Sequence, residues 1–203
     1  IAGFPLAAEK CNIITKWSSE IDKNCIELTK NKFSNIKQLG DIIKIKGDKI
    51  EPVDIISFGS PCNNLSLAGN KKGLKGEESK LFYEAIRIIK EMREITNGKY
   101  PRFALWENVT GALSSNGGQD FKYVLEEIAK IKISIPKSSR WAKSGLVRGN
   151  GFSIAWRVFN SQYWGIPQSR DRIFLVADFR GQSTGQILFE QQRLSRNTSE
   201  SKA

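Results

Sequence analysis

The chain has 203 residues, 39% of them hydrophobic, which is enough for one domain with its own core and a tight fit for two. Its 32 basic residues against 21 acidic ones give a net charge of +11, which favours an anionic partner such as nucleic acid about as much as a solvated lysine-rich face. Three cysteines are too few for a disulfide scaffold or a four-thiolate zinc site, and the lack of histidine excludes Ser-His and Cys-His dyads and His-rich metal sites within this chain.

The cysteine usage fits a reducing cytoplasm. No apolar run approaches the ~20 residues of a membrane span, so we expect neither a membrane nor a metal as partner. The first residues are neither a signal peptide nor an initiator methionine, and we expect a chain truncated at both ends.

Apolar runs of strand length alternate with helical patterns, which predicts an α/β fold with a mostly parallel sheet. In the first part of the chain, Gly3 opens a helix with Pro5 near its first position. Residues 12–18 then predict a strand that leads to Glu20, and Asp22 is placed to cap the next helix.

The central part of the chain predicts one βαβ unit. Residues 53–58 form a buried-type strand, residues 81–95 repeat apolar side chains at helical spacing, and residues 102–106 form the next strand. Such crossovers are right-handed, so the two strands should be parallel and close together. An amphipathic helix is predicted over residues 121–131.

The last part of the chain predicts a basic, glycine-containing loop over residues 136–151, followed by strands over residues 154–159 and 173–177. Their connection is short enough for an antiparallel pair. From residue 181 onward glutamine, serine and charge dominate, so we predict a catalytic domain over residues 1–180 and a polar tail over residues 181–203.

Side chains that carry chemistry follow the ends of these strands. Cys62 and Glu107 come just past the carboxyl ends of the two parallel strands, where open α/β sheets place their ligands. The antiparallel pair would bring Gln168, Arg170 and Arg172 to the same cleft. Nearby arginine charge would lower the pKa of a thiol from ~8.5 toward the reactive thiolate. The plainer alternatives are an inert buried Cys62, a capping or surface Glu107, and solvated arginines.

A second group of residues suggests a nucleoside cofactor. Gly3 at a strand-to-helix turn, with Glu20 at the end of the following strand, is the layout of a nucleoside-binding α/β fold, although a plain helix cap explains the glycine equally well. Asp41 ends the next strand and is placed to take an adenine amino group.

From Ile1 to about Phe189, the chain resembles the cytosine-5 DNA methyltransferases of bacteria and phages. The resemblance implies a Rossmann-like methyltransferase fold that uses S-adenosyl-L-methionine, with an antiparallel strand near the C-terminus. The matching stretches are Ile1-Ala2-Gly3-Phe4 with the tail of the FxGxGG cofactor loop, Ser18-Ser19-Glu20 with the acidic cofactor position, Gly40-Asp41-Ile42 with the adenine position, Gly59-Ser60-Pro61-Cys62 with the Pro-Cys motif, Glu107-Asn108-Val109 with the ENV motif and residues 168–172 with the QxRxR motif.

The resemblance also implies roles for these residues. Cys62 would add to carbon 6 of a flipped-out cytosine while Glu107 holds ring nitrogen 3 and the amino group, and Arg172, supported by Arg170, would contact the base and the glutamate. The implied cofactor positions are Ala2, Gly3, Phe4, Glu20, Ile21, Asp41, Ile42 and Leu81. The expected contacts to substrate or DNA are Pro61, Asn63, Lys71, Lys72, Lys75, Asn108 and Gln168, the lysines because a basic loop directly after Cys62 suits phosphates.

Three departures from the family pattern qualify this interpretation. Asn63 stands where the family usually has glutamine, the strand and first glycine of the cofactor loop are missing, and no target-recognition domain follows Phe189. We therefore expect residues 1–203 alone to bind cofactor weakly and to methylate poorly or not at all. The expected partner is double-stranded DNA bound by a monomer, and a separate cognate restriction endonuclease is compatible with this type of enzyme.

Three alternatives stay open at this point. A tRNA cytosine-5 methyltransferase would use the same motifs, and a nicotinamide-dependent oxidoreductase would suit the glycine turn and Glu20 equally well. A DNA-binding protein without catalytic activity would explain the charge alone.

Overall fold

The computed structural model describes residues 2–60, 77–165 and 167–189. The helices within these ranges are α1 (Gly3–Lys10), α2 (Lys23–Lys32), α3 (Glu77–Ile95), α4 (Gln119–Ala129) and α5 (Thr184–Leu188). The strands are β1 (Trp17–Ser18), β2 (Lys37–Gln38), β3 (Ile55–Gly59), β4 (Phe103–Asn108), β5 (Ser144–Gly149), β6 (Phe152–Asn160) and β7 (Asp171–Asp178).

A five-stranded sheet in the order β3-β4-β7-β6-β5 lies at the centre. β3 and β4 are parallel and joined through α3, as the βαβ pattern predicts. The other three pairings are antiparallel. The α/β, Rossmann-like class is confirmed, but the five-stranded sheet is mixed rather than mostly parallel. The reason is that β5 and β6 are joined by residues 150–151 and β6 and β7 by residues 161–170, both shorter than the crossover of roughly a dozen residues that a parallel pair needs.

Helices α3 and α4 cover one face of the sheet with aromatic side chains. Trp106 of β4 stacks on Phe121 at a centroid distance of 6.1 Å, and Phe121 meets Trp156 edge-on at 5.3 Å. Phe82 and Met92 of α3 are fully buried beneath them. The helical spacing that predicted α3 therefore gives the main core. α4 begins at Gln119, two residues before the predicted start.

The opposite face carries a smaller cluster in which α5 packs on β6 and β7 through Ala155, Val176 and Leu188. Buried Thr184 donates a hydrogen bond to the Ser153 hydroxyl over 2.9 Å. The predicted polar tail thus begins with a segment that is docked on the sheet.

The strands in the N-terminal part, within residues 2–50, are short. β1 and β2 form a separate parallel pair, with Trp17 opposite Lys37. The predicted strand over residues 12–18 shrinks to Trp17–Ser18 because the Ile13 amide closes the end of α1 by donating to the Ala8 carbonyl. Asp22 caps α2, as predicted, by accepting from the Cys25 amide.

Candidate active site

The side chains of Glu107 and Arg172 meet at one end of the sheet. Glu107 lies directly opposite Phe174 on β7, and Arg172 lies two residues earlier, so their side chains point to the same face. The Arg172 Nε is 2.9 Å from the Glu107 Oε1, and both side chains are about one quarter exposed, at 23% and 27%. The predicted convergence of this glutamate and this arginine is confirmed.

The segment that leads toward Cys62 is anchored beside this pair. Gly59 lies opposite Glu107, and a Cβ on Gly59 would come 3.1 Å from the Glu107 Oε2. Ser60 is buried, where its hydroxyl accepts from the Trp106 indole over 3.1 Å and its carbonyl accepts from the Asn108 amide over 2.6 Å. The chain is therefore held against β4 up to the residue before Pro61.

The predicted nucleophile and the loop after it lie outside the described residues. These positions are Cys62 together with Pro61, Asn63, Lys71, Lys72 and Lys75. The approach of Cys62 to Glu107 stays a prediction. The structure fixes the position of Ser60, two residues before Cys62 in the sequence.

Asn108 has a different role from the DNA contact expected of it. It is only 6% exposed, its amide nitrogen binds the Ser60 carbonyl, and its side-chain oxygen accepts from the Val109 amide. Asn108 therefore holds Ser60, the residue after β3, against β4. The positioning roles of Gly59 and Ser60 were missed from the sequence, although a glycine and a small hydroxyl before Pro61 are a visible signal of close chain approach.

Gln168 and Arg170 lie on the connection between β6 and β7, at the same end of the sheet as Arg172, and both are exposed. Their backbone is fixed because Ser161 donates from its hydroxyl to the Gln168 carbonyl and from its amide to the Arg170 carbonyl. The structure thus brings Arg172 onto Glu107 and leaves Gln168 and Arg170 facing solvent at the same rim.

The two acidic residues predicted to hold the cofactor also lie at one end of a parallel pair. Glu20 follows β1 and Asp41 follows β2, so both leave the carboxyl ends of neighbouring strands. The Glu20 Oε1 accepts from the Ile21 and Asp22 amides, and the Asp41 Oδ1 accepts from the Ile43 amide. Carboxylates oriented in this way at strand ends fit the hydroxyl and amino groups of a nucleoside.

The remaining cofactor positions lie at the start of α1, directly after Glu20, directly after Asp41 and on α3. Ala2, Gly3 and Phe4 lie at the start of α1, none of whose residues is buried. Ile21 is 73% exposed, and Leu81, at 36%, lies on α3 six residues before Arg87, which donates to the Ile42 carbonyl. The structure thus groups Glu20 with Asp41 and ties Ile42 to α3, while Ala2 and Phe4 at the start of α1 are half-buried.

A family model for the C-5 cytosine-specific DNA methylases matches residues 1–137 and 143–202, which include every motif discussed above. The chain belongs to this family. Among its relatives, the Type II methyltransferase M.Bsp6I of Bacillus sp. (strain RFL6) is 30% identical over 179 residues, which are 87% of this chain and 49% of that protein.

A second methylase relative is named for a different base. The protein called DNA N-6-adenine-methyltransferase of Escherichia phage P1 is 26% identical over 228 residues, covering 97% of this chain and 30% of that protein. The chain spans about half the length, or less, of the curated relatives it matches.

Among solved structures, a DNA modification methyltransferase encoded within an E. coli prophage superposes with a TM-score of 0.59 at 17% identity, over 87% of this chain and 43% of that one. This likeness supports the fold.

Within residues 2–60, 77–165 and 167–189, no helix is long and apolar enough to cross a membrane, and no three His, Cys, Asp or Glu side chains are grouped to hold a metal ion.

Proposed function

We propose that this chain is the catalytic part of a DNA cytosine-5 methyltransferase that works through a covalent adduct on Cys62. The observation that carries the proposal is the Glu107–Arg172 ion pair of 2.9 Å, which lies beside Ser60, the residue that is hydrogen-bonded to β4 and directly precedes Pro61-Cys62 in the sequence. If Cys62 reaches this rim, its thiol together with the carboxylate and the guanidinium would suit attack on an electron-poor ring.

Each residue has a distinct task in this reaction. The Cys62 thiolate forms a bond to carbon 6 of cytosine. Glu107 donates a hydrogen bond to ring nitrogen 3 from a protonated oxygen and accepts one from the amino group with the other, so electron density moves to carbon 5. S-adenosyl-L-methionine supplies the methyl group that carbon 5 takes up. Loss of the carbon 5 proton to a base and departure of the Cys62 thiolate then restore the aromatic ring and the enzyme. Arg172 holds the Glu107 carboxylate in place throughout.

The DNA must be distorted for this chemistry, since a base inside a duplex is out of reach and flipping it out costs a few kcal/mol. Exposed Gln168 and Arg170 lie at the rim where the strand would pass, and the net charge of +11 favours the phosphates. We propose that the partner is double-stranded DNA, bound by a monomer in the cytoplasm. A cognate restriction endonuclease would be a separate protein.

The cofactor is assigned to the β1–β2 end. Glu20 would accept from the ribose hydroxyls and Asp41 from the adenine amino group. A thermal-shift series tests this assignment: S-adenosylhomocysteine should stabilise the chain and NAD should not, and Glu20→Gln should weaken the stabilisation. Stabilisation by NAD alone would favour an oxidoreductase instead.

The decisive experiment traps the adduct. Residues 1–203 are incubated with S-adenosyl-L-methionine and duplex DNA containing 5-fluorocytosine. A base removes the hydrogen at carbon 5 as a proton but cannot remove fluorine, so the thiolate is not released. Covalent protein therefore accumulates even when turnover is slow. We expect the adduct on Cys62, none with Cys62→Ser, and formation slowed ~10²- to 10⁴-fold by Glu107→Gln.

Several outcomes would contradict the proposal. An adduct on Cys11 or Cys25, or an equal yield of adduct from Cys62→Ser, would contradict the role of Cys62. Label transferred from the methyl donor to tRNA but not to duplex DNA would move the substrate to RNA. Strong turnover by residues 1–203 alone would contradict the weak activity expected of this chain.

A further inference from the structure

Two large aromatic side chains stand in solvent on the connection between β6 and β7. Tyr163 is 79% exposed and Trp164 is 60% exposed. Both belong to a short 3₁₀ helix over Ser161–Trp164, which is followed by Gly165 in a left-handed conformation at φ 80°. Neighbouring exposed rings of this size on a polar turn point to contact with a partner.

The turn that carries these rings is held firmly. The Asn160 side chain accepts from the Gln162 amide over 3.0 Å, and its amide nitrogen donates to the Asp171 carboxylate over 2.7 Å. The Trp164 ring meets Phe159 edge-on at a centroid distance of 5.8 Å. The rings are therefore presented by an ordered scaffold, so little entropy is lost when a partner covers them.

This surface adjoins the proposed base site. Phe159, the ring beneath Trp164, lies directly opposite Arg172 on β7, and it also contacts Phe174, which lies opposite Glu107. Trp164 is thus separated from the Glu107–Arg172 pair by one layer of side chains. A DNA strand bound at Glu107 would therefore lie near this turn.

The charges around the rings select an anionic partner. Arg170 is exposed on the same turn, and the guanidinium of Arg157 lies 5.0 Å from the centroid of the Phe159 ring. The carboxylate of Asp171, the first residue of β7, accepts from the Asn160 amide and keeps its negative charge, so two guanidiniums face one carboxylate here. Apolar rings set among guanidiniums match a nucleic-acid strand, whose bases offer flat faces and whose phosphates are negative.

We propose that Tyr163 and Trp164, termed here the aromatic platform, stack against an unpaired DNA base next to the flipped cytosine. This inference rests on the proposed function and adds a DNA-binding element to the same site. Opening the duplex leaves flanking bases without stacking partners, and a fixed indole would replace the lost stacking.

The test measures binding of a fluorescein-labelled oligonucleotide by anisotropy, with single-stranded DNA and with a duplex that carries a mismatched cytosine. Removing the ring with Trp164→Ala should weaken binding about 5- to 150-fold, as expected when one stacked base loses its aromatic partner. Trp164→Phe should restore most of the affinity. Ile95→Ala is the matched control, because Ile95 is 63% exposed at the far end of α3, away from the Glu107 rim.

The outcomes separate this inference from the proposed function. If wild type binds DNA and Trp164→Ala binds equally well in a folded protein, the aromatic platform is wrong and the proposed chemistry stands. If wild type binds no DNA, the proposed function fails. At saturating DNA, Glu107→Gln should slow adduct formation ~10²- to 10⁴-fold whereas Trp164→Ala should not, which distinguishes the two roles. Loss of self-association in sedimentation with Trp164→Ala, at unchanged DNA affinity, would mean that the rings join copies of the chain and would overturn the inference.

Discussion

The N-terminal segment of residues 2–50 and the five-stranded sheet with its helices bury their apolar side chains to very different degrees. In the sheet unit, Trp106, Phe82 and Phe121 are fully buried in one cluster. In the N-terminal segment, Ile14 is 79% exposed and Ile21 is 73% exposed. The part that carries the proposed base chemistry thus has its own core, whereas the part assigned to the cofactor depends on attachment to it.

That attachment combines apolar packing, in which Ile45 joins the main core cluster, with a few hydrogen bonds. The Trp17 indole donates to the Glu51 carbonyl over 2.9 Å, Arg87 of α3 donates to the Ile42 carbonyl over 3.2 Å, and Glu91 of α3 accepts from the Gly47 amide over 2.6 Å. Because these hydrogen bonds are few, separating the N-terminal segment from the sheet should cost less free energy than unfolding the sheet.

The largest effect should come from emptying the core of the sheet unit. Trp106→Ala removes the ring between Phe82 and Phe121, and we expect it to lower the free energy of unfolding by ~3–5 kcal/mol. Urea denaturation followed by circular dichroism measures this. The paired control, Ile14→Ala in the N-terminal segment, should change it by less than ~0.5 kcal/mol. Equal losses in the two variants would contradict the contrast between the regions.

A smaller loss of stability is expected when the contact between the N-terminal segment and the sheet unit is weakened. Gly47 packs against the backbone of Ile88 so closely that a Cβ there would clash with its carbonyl oxygen. Gly47→Ala should cost ~1–3 kcal/mol through overpacking and should weaken stabilisation by S-adenosylhomocysteine. Hydrogen exchange should show faster exchange in residues 2–50 and unchanged protection in β4 and β7. Uniformly faster exchange would mean that the regions unfold together.

Acid should act on the sheet unit through Asp178, which is fully buried at the end of β7. Burial alone would raise its pKa, but hydrogen bonds from Arg102, from Ser183 and from the Arg180 amide outweigh burial and lower the pKa from 3.8 to about 2. The folded state therefore gains ~2 kcal/mol from ionised Asp178 above pH ~4, and this stability disappears as the pH falls toward 2. Asp178→Asn should be less stable at pH 7 and should lose this part of the pH dependence. An unchanged slope between pH 4 and 2 would show that the carboxylate contributes little.

The smallest effect is expected at the surface of the N-terminal segment. Lys16 and Glu51 form an ion pair of 3.0 Å, but their side chains are 46% and 58% exposed. Lys16→Met should change the free energy of unfolding by at most ~1 kcal/mol, and less at high salt, in the same denaturation assay. A loss as large as that of Gly47→Ala would make this pair a main attachment of the segment.

The sequence predicted the βαβ unit and the meeting of Glu107 with Arg172 because long apolar repeats and chain order determine both. It failed where a local pattern was ambiguous. β5 was predicted as part of a loop because glycines are rare in strands, yet Gly145 and Gly149 lie in β5 where the rings of Trp156 and Phe152 leave no space for a side chain. The apolar run at Ile13-Ile14 suggested a strand, but it closes α1 instead. Asn108 was assigned to DNA because sequence alone does not show that its amide is buried against Ser60.

The central claim is that Cys62 and Glu107 lie in one site. Its most direct test measures the proximity of the two residues and does not rely on activity. In a background of Cys11→Ser and Cys25→Ser, a second thiol is introduced by Glu107→Cys, or by Ile95→Cys at the far end of α3, and dibromobimane is added as a short thiol cross-linker. We predict a fluorescent cross-link, located by mass spectrometry, between positions 62 and 107 and none between positions 62 and 95. A cross-link with position 95, or none with position 107 while both thiols react singly, would contradict the account.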